Sequence, residues 1–476
     1  MKKINRYMIV LAVIFASCSE DIGNYEYRDL VPVTIEFGET NEFDAVSLKP
    51  FQIEPIIETE LDESNFQYEW FFDGELVSTE RNLDVVIKLP ASIDRYIGRL
   101  TVTDQSTDLQ YTNQFSVNVS SVVGRGWLIL SEVDNQSMLG HKAESDNLFT
   151  QNIFEQINGR KLGANPISIT FGASPADQII IALVGSGQYG AGINGNTFEE
   201  VYTIAESMTG EVPQGIPNSL SRTFFFDYFL WNNKLHVGLS SSPDPRSYAS
   251  TPMSDKEFGY FISAGFSGSV LYESTTGSWR TIGGFDTKLN ENVVPDINPA
   301  PSFPLSNTGF ELVNAGIYEQ GPGGTNILHI MKDGGVLHEM KLSVGFGGVG
   351  TISKRVMPGA DLVDDNTVFY MSDATYYYFS SGKKLYRRSH LTDDDPVEVM
   401  TFSKDIVYMR KVVANRMFGF PPPDYAGNPL LIATYDGSGG QTGDIYFLDD
   451  KIVSVEIKEQ YENVAGKVGF MELKER

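Results

Sequence analysis

The chain has 476 residues, a hydrophobic fraction of 41% and a formal net charge of −26. That is long enough for more than one domain of the usual ~100–200 residues, and too apolar for a disordered chain. The acidic field excludes the clustered Lys and Arg that nucleic-acid binding needs, so divalent cations or neutral ligands are the more natural partners. The single cysteine, Cys18, excludes an internal disulfide framework and thiolate zinc sites.

The first elements in chain order are targeting signals. Lys2, Lys3 and Arg6 precede the apolar run Tyr7 to Phe15, and the small residues Ala16 and Ser17 precede Cys18. This is the layout of a secretory signal over 1–17, and the apolar run is too short to span a bilayer as a helix. Phe15-Ala16-Ser17-Cys18 resembles a lipobox, with Phe15 departing from the usual Leu. Cys18 is therefore the expected lipidation site, and several acyl chains on it anchor a soluble domain firmly. Cleavage before Cys18 removes three positive charges and leaves 33 Lys+Arg against 62 Asp+Glu, or −29. Ser19, Glu20 and Asp21 follow in an acidic tether over 18–30. They resemble the surface-export signal of Bacteroidetes lipoproteins, which implies the outer face of the outer membrane.

Residues 31–121 read as a small β-sandwich. Alternation runs through Val31 to Gly38, Phe66 to Glu75, Leu83 to Leu89, Gly98 to Gln105 and Asn113 to Ser121. Asp73-Gly74 signals a hairpin, and Trp70 reads as core. About 90 residues suit an immunoglobulin-like sandwich. Tyr68-Glu69-Trp70, Phe72-Asp73-Gly74 and Leu100 to Asp104 resemble a PKD-type domain.

From 124 to 476 the pattern becomes repeated hairpins, with turns at Asn232-Asn233, near Gly277, at Asp333-Gly334, near Gly382 and at Asp449-Asp450. Spacings of about 44 to 68 residues are comparable to or longer than the ~40–50 of a propeller blade. The expectation is an all-β chain ending in a degenerate β-propeller of about seven blades. Trp127 to Leu130 and the terminal Lys467 to Glu475 would share one blade and close the ring. Two stacked sandwiches are the alternative.

The whole layout resembles the PKD-like lipoprotein family of Bacteroidetes. The residues that carry it are Asp21 to Tyr27, Tyr68 to Trp70, Thr101 to Asp104, Gly126 to Ser131 and Gly466 to Met471. The resemblance implies a setting beside a starch-utilisation-type TonB-dependent transporter and a role in nutrient capture. It brings no catalytic residues.

Chemical motifs are sparse. Gly185, Gly187 and Gly190 match G-x-G-x-x-G, but no βαβ unit surrounds them and a possible short helix, Thr197 to Met208, starts too late. They read as a mobile glycine loop. His338-Glu339 lacks the second His of a zincin, since Leu342 stands there. The five histidines, His141, His236, His329, His338 and His390, show no pair at ligand spacing. Gly265 to Ser269 is not a nucleophile elbow. Asp361 to Asp365 and Asp393 to Asp395 do not match an EF-hand and read as solvated turns, with calcium the one cofactor left open. Phe224 to Trp231 and Tyr376 to Phe379 put rings on both faces of a strand, as in a blade covered on both sides. No catalytic, cofactor or metal residue is assigned. The function expected is a surface lipoprotein that captures a glycan or peptide. The alternatives are a propeller hydrolase or lyase using channel carboxylates, and a structural partner of the transporter.

Overall fold

The computed structural model describes residues 31–474, except 48, 90–94, 121–123, 144–148, 172–178, 223–225, 240–246, 264–267, 284–287, 291–293, 322–323, 346, 372–374, 412–428 and 452–453. Cys18, the leader and the acidic tether lie outside the described residues. The chain divides into two compact units, one built mainly from residues before Ser120 and one from Ser120 onward.

The first unit is a β-sandwich. Phe66–Phe72 alternates inward Phe66, Tyr68, Trp70 and Phe72 with outward partners, so one face of the strand is apolar. It pairs with Tyr96–Asp104, which pairs with Leu109–Ser120 in a five-stranded antiparallel sheet. Asp73 and Gly74 turn the hairpin with φ of 45° and 88°, as a two-residue turn with both centres left-handed requires. Thr34–Glu36 pairs with Ile56–Glu58 and Pro50–Ile53 with Leu83–Val86; Phe37, just after the first, and Phe51, on the third, pack their rings on Trp70 and Phe72. Glu42–Val46, Pro50–Ile53 and Ile56–Glu58 are strands that the sequence pattern did not mark. They are short, and each leaves at least half its residues exposed.

Among the described residues the second unit contains seven sheets. Successive strands of a blade pair antiparallel, and the innermost is the first in chain order except in blade 1, where Lys467–Lys474 takes that place, and in blade 3, where Met208–Thr209 comes earlier but lies outermost. Blade 1 runs Lys467–Lys474, Gly126–Val133, Gln136–Ala143 and Phe149–Thr150, and blade 2 runs Pro166–Phe171, Ile179–Val184, Gly190–Asn194 and Glu200–Thr203. Blade 3 runs Pro217–Arg222, Phe226–Trp231, Lys234–Leu239 and Tyr248–Ala249, with Met208–Thr209 paired parallel to Tyr248–Ala249 as its outermost strand. Blade 4 has Phe258–Ser263, Ser269–Glu273 and Ser278–Ile282. Blade 5 has Glu311–Gly321, Gly324–Asp333, Val336–Gly345 and Gly348–Val356, and blade 6 has Phe369–Met371, Tyr376–Ser381, Lys384–Ser389 and Val397–Thr401. Blade 7 has Asp405–Lys411, Leu430–Tyr435, Gly443–Asp450 and Val455–Ala465. The innermost strands touch one another in sequence around the axis, and Lys467–Lys474 touches both Asp405–Lys411 and Pro166–Phe171. The ring is closed, which rules out stacked sandwiches. Its clasp is the expected one: Trp127 lies opposite Leu473, Ile129 opposite Met471 and Leu130 opposite Phe470.

The second strands explain the continuous apolar runs. Each is covered on both faces, so alternate residues serve two different cores. Leu128 and Leu130 pack with Ile180 and Ala182, while Ile181 and Leu183 pack with Phe229 and Trp231. Tyr228 and Leu230 meet Leu271; Val270 and Tyr272 meet Ile327; Leu328 and Ile330 meet Tyr377 and Phe379. Tyr378 meets Leu430 and Ile432, and Leu431 and Ala433 return to Trp127 and Ile129. Phe226 to Trp231 and Tyr377 to Phe379 are accordingly buried. Phe224 and Phe225 lie outside the described residues.

The turns between second and third strands set the repeat. Asn232-Asn233, Gly277, Gly334-Gly335 and Gly382 occupy it with positive φ, and so do Asp134-Asn135, which the sequence reading did not single out. Asp449-Asp450 does not: it ends the third strand of blade 7, whose corresponding turn is the longer Asp436 to Thr442 loop. The Gly185 to Gly190 motif is the same turn in blade 2, a glycine loop joining Ile179–Val184 to Gly190–Asn194. A Cβ on Gly190, at φ 111°, would lie 1.9 Å from the Ala182 carbonyl oxygen. The expected helix at Thr197 to Met208 is instead the strand Glu200–Thr203 and a turn, and the α-helix among the described residues is Ile153–Asn158. No described helix is long and apolar enough to cross a membrane.

Candidate functional site

Strand alternation decides which side chains gather at the axis. In Asp405–Lys411, Tyr408 and Arg410 share one face; in Lys467–Lys474, Phe470, Glu472 and Lys474 share one, because their register with Leu130, Leu128 and Gly126 is unbroken. These are innermost strands of neighbouring blades, so the two faces meet. Arg410 Nη2 lies 2.5 Å from Glu472 Oε2. The Arg410 guanidinium stands 5.0 Å over the Phe470 ring, and the Tyr408 ring is 5.8 Å from Phe470. Tyr370, on the innermost strand of blade 6, donates its hydroxyl to the Lys411 carbonyl at 2.8 Å.

The electrostatics fit an enclosed, wetted lining. The Arg410 and Glu472 side chains keep 29% and 22% of their surface open. Burial works against the Arg410 charge, but Glu472, Tyr408 and Tyr370 outweigh it and hold the guanidinium protonated. Burial pushes the Tyr370 and Tyr408 hydroxyls up, so both are neutral donors. Arginine, carboxylate and three aromatic rings can hydrogen-bond and stack on a polar ligand without forming a covalent bond.

Lys474 ends the same face. It is 2% exposed, and among the described residues its Nζ meets no hydrogen-bond partner. Burial lowers its pKa to about 8. The residue across from it on Gly126–Val133 is Gly126, which offers no side chain.

Other buried polar clusters hold the ring together. Glu339 accepts from Tyr377 Oη at 2.8 Å, pairs with Arg355 at 2.5 Å and faces Arg388 Nε at 3.4 Å, joining blades 5 and 6. His329 is fully buried, and its Nε2 receives Trp279 Nε1 at 3.3 Å and the Tyr260 hydroxyl. Burial drops its pKa to about 3, so the imidazole is neutral.

The motifs weighed in the sequence scatter. His338 lies on the strand with its Nδ1 2.9 Å from the Val336 carbonyl oxygen, and the next residue, Glu339, belongs to the buried ion cluster. His141 contacts the Gly124 carbonyl at 3.1 Å and His236 that of Ala249 at 3.0 Å. Asp364 caps its own turn through the Asn366 N–H, and Asp393 pairs with Arg355. Gly265 to Ser267 lie outside the described residues. Among the described residues no group of three His, Cys, Asp or Glu side chains is placed to hold a metal ion. The channel cluster escaped the sequence reading. Its signal, Tyr-x-Arg and Phe-x-Glu-x-Lys alternation, becomes meaningful only once those strands are known to be innermost.

Residues 18–166 match the PKD-like family. The N-terminal unit is a PKD-like domain. None of the curated protein sequences compared with the chain matches it. Similar solved structures include a quinonprotein alcohol dehydrogenase-like protein from Bacteroides thetaiotaomicron VPI-5482, at 12% identity over 92% of this chain and 100% of that one, with a TM-score of 0.31. A protein from Lactobacillus plantarum has 9% identity over 74% and 99%, with a TM-score of 0.47. BamB from Moraxella catarrhalis has 6% identity over 86% and 98%, with a TM-score of 0.24. All three overlay loosely, and the propeller is defined by its own strand pairing and shared cores.

Proposed function

We propose that this chain is a lipoprotein anchored through Cys18 on the outer face of an outer membrane, where its propeller captures a glycan or peptide beside a TonB-dependent transporter. The observation that carries the recognition role is the Arg410–Glu472 pair set among Phe470, Tyr408 and Tyr370 on three consecutive innermost strands. Such a rigid, preorganised face loses little entropy when a ligand docks. The anchor is supported by the basic, apolar and small-residue order before Cys18, and by the match to the PKD-like family beginning at residue 18.

Glycan and peptide arrays probed with the full chain in mild detergent test the role. Captured ligand recovered unchanged supports recognition; released product would replace it with a hydrolase or lyase, and binding of the transporter alone with a structural partner. For the anchor, a Cys18→Ala chain should lose acyl label and leave the membrane fraction. Retention of both would refute it.

A further inference from the structure

The protein carries 62 acidic against 36 basic residues, yet the channel face ends in a buried ammonium that meets no hydrogen-bond partner among the described residues. Phe470, Glu472 and Lys474 alternate along one face, two residues apart, so Lys474 sits roughly 7 Å beyond Glu472 along the strand. Glu472 is bound to Arg410, and among the described residues nothing pairs with the Lys474 ammonium. A buried ammonium without a partner is costly, and an apolar residue of similar volume would avoid that cost. Its four-carbon stem lets the ammonium swing toward the wetted Arg410–Glu472 pair once an anion is there to meet it. Gly126, across from it, brings no charged side chain of its own.

Resting on the recognition role above, we infer that the captured ligand bears a carboxylate, and that Lys474 is the residue that receives it while Arg410 and the rings hold the neighbouring part. The carboxylate completes the charge that the fold leaves open. The net acidity of the chain does not oppose this, because charges beyond ~8–10 Å are screened at physiological salt. A uronic-acid sugar and a peptide C-terminus offer the same group.

The test uses the full chain in mild detergent and a Lys474→Met variant, with Lys474→Gln as a second form should the first fold poorly. Sodium acetate is titrated against sodium chloride at equal ionic strength while melting is followed. Acetate should raise the melting temperature of the wild-type chain and not of the variants, and the difference should fade as pH rises above about 8. Equal responses overturn the inference. Titration with oligogalacturonate against its carboxyl-reduced form, and with a peptide acid against its amide, then identifies the source. The carboxylate member of one pair should bind about 10- to 100-fold tighter, a preference lost in Lys474→Met. If neutral ligands bind wild type and variant alike, the capture role stands and this inference fails. If nothing binds while acetate still acts through Lys474, the anion site stands and the capture role fails.

Discussion

In the sandwich, Trp70, Phe72, Phe115 and Phe37 pack on one another inside one unit, and the Trp70 indole donates to the Glu80 carbonyl at 2.9 Å. In the propeller, every second strand divides its residues between two cores, and no blade owns one. The first arrangement lets a unit stand alone. The second makes each blade depend on its neighbours, so the clasp between Gly126–Val133 and Lys467–Lys474 holds the whole ring. The difference also sorts the charges. Arg99 caps the Phe71 ring at 4.6 Å on the sandwich surface, whereas Glu339 and Arg388 lie fully buried between blades.

The sharpest way to break this contrast is to damage one unit at a time. Trp70→Ala should cost ~3–5 kcal/mol, confined to the sandwich. Glu339→Ala should cost a similar ~3–5 kcal/mol in the propeller, because Arg388 is left buried without its partner. Calorimetry should show two transitions, each variant lowering only one. A single transition lowered by both would mean the units melt together.

A smaller effect probes the clasp. A Cβ on Gly469 would stand 2.6 Å from the Pro166 carbonyl oxygen on the next blade. Gly469→Ala should cost ~1–3 kcal/mol in the propeller transition and leave the sandwich unchanged. An unchanged propeller midpoint in denaturant would show that the ring gives at that seam.

Lys474 gives a pH-dependent effect of comparable or smaller size. Its folded value, about 8, lies below the ordinary lysine value, so the unfolded chain binds more protons between the two. Propeller stability should therefore rise with pH across that window relative to Lys474→Met, by on the order of 1–3 kcal/mol. Parallel stability curves for the two chains would contradict the buried, unpaired ammonium.

The smallest effect belongs to Asp436, whose carboxylate accepts from Thr442 and Ser438 and is held down at about 2. Its stabilisation is present above the ordinary carboxyl range and is lost as pH falls toward 2. Asp436→Asn should flatten that acid limb slightly, as read by the propeller midpoint.

Much of the architecture was legible because each feature is local. Strand alternation, paired turn residues with left-handed backbone and apolar runs covered on both faces mark the hairpins, and Trp127 to Leu130 and Lys467 to Glu475 already read as the two segments that share the closing blade. Features that depend on the assembled ring were not. Among the described residues blade 4 has three strands, and its edge is met by a loop in which the Leu305 carbonyl accepts from the Trp279 N–H at 2.9 Å while Phe303 and Phe310 fill the core. No period in the sequence marks such a substitution. The turn of blade 7 hides in a glycine-rich loop organised by Asp436 rather than by a two-residue turn. Arg410, Glu472 and Lys474 look like surface charges on alternating strands until those strands are placed at the axis.

The most direct test is equilibrium binding on glycan and peptide arrays by the full chain and its Arg410→Met variant, with bound material eluted and analysed. Ligand held by the wild type, recovered intact and lost from the variant is the expected result. Ligand converted to product, or held equally by the variant, would contradict a recognition face at the propeller axis.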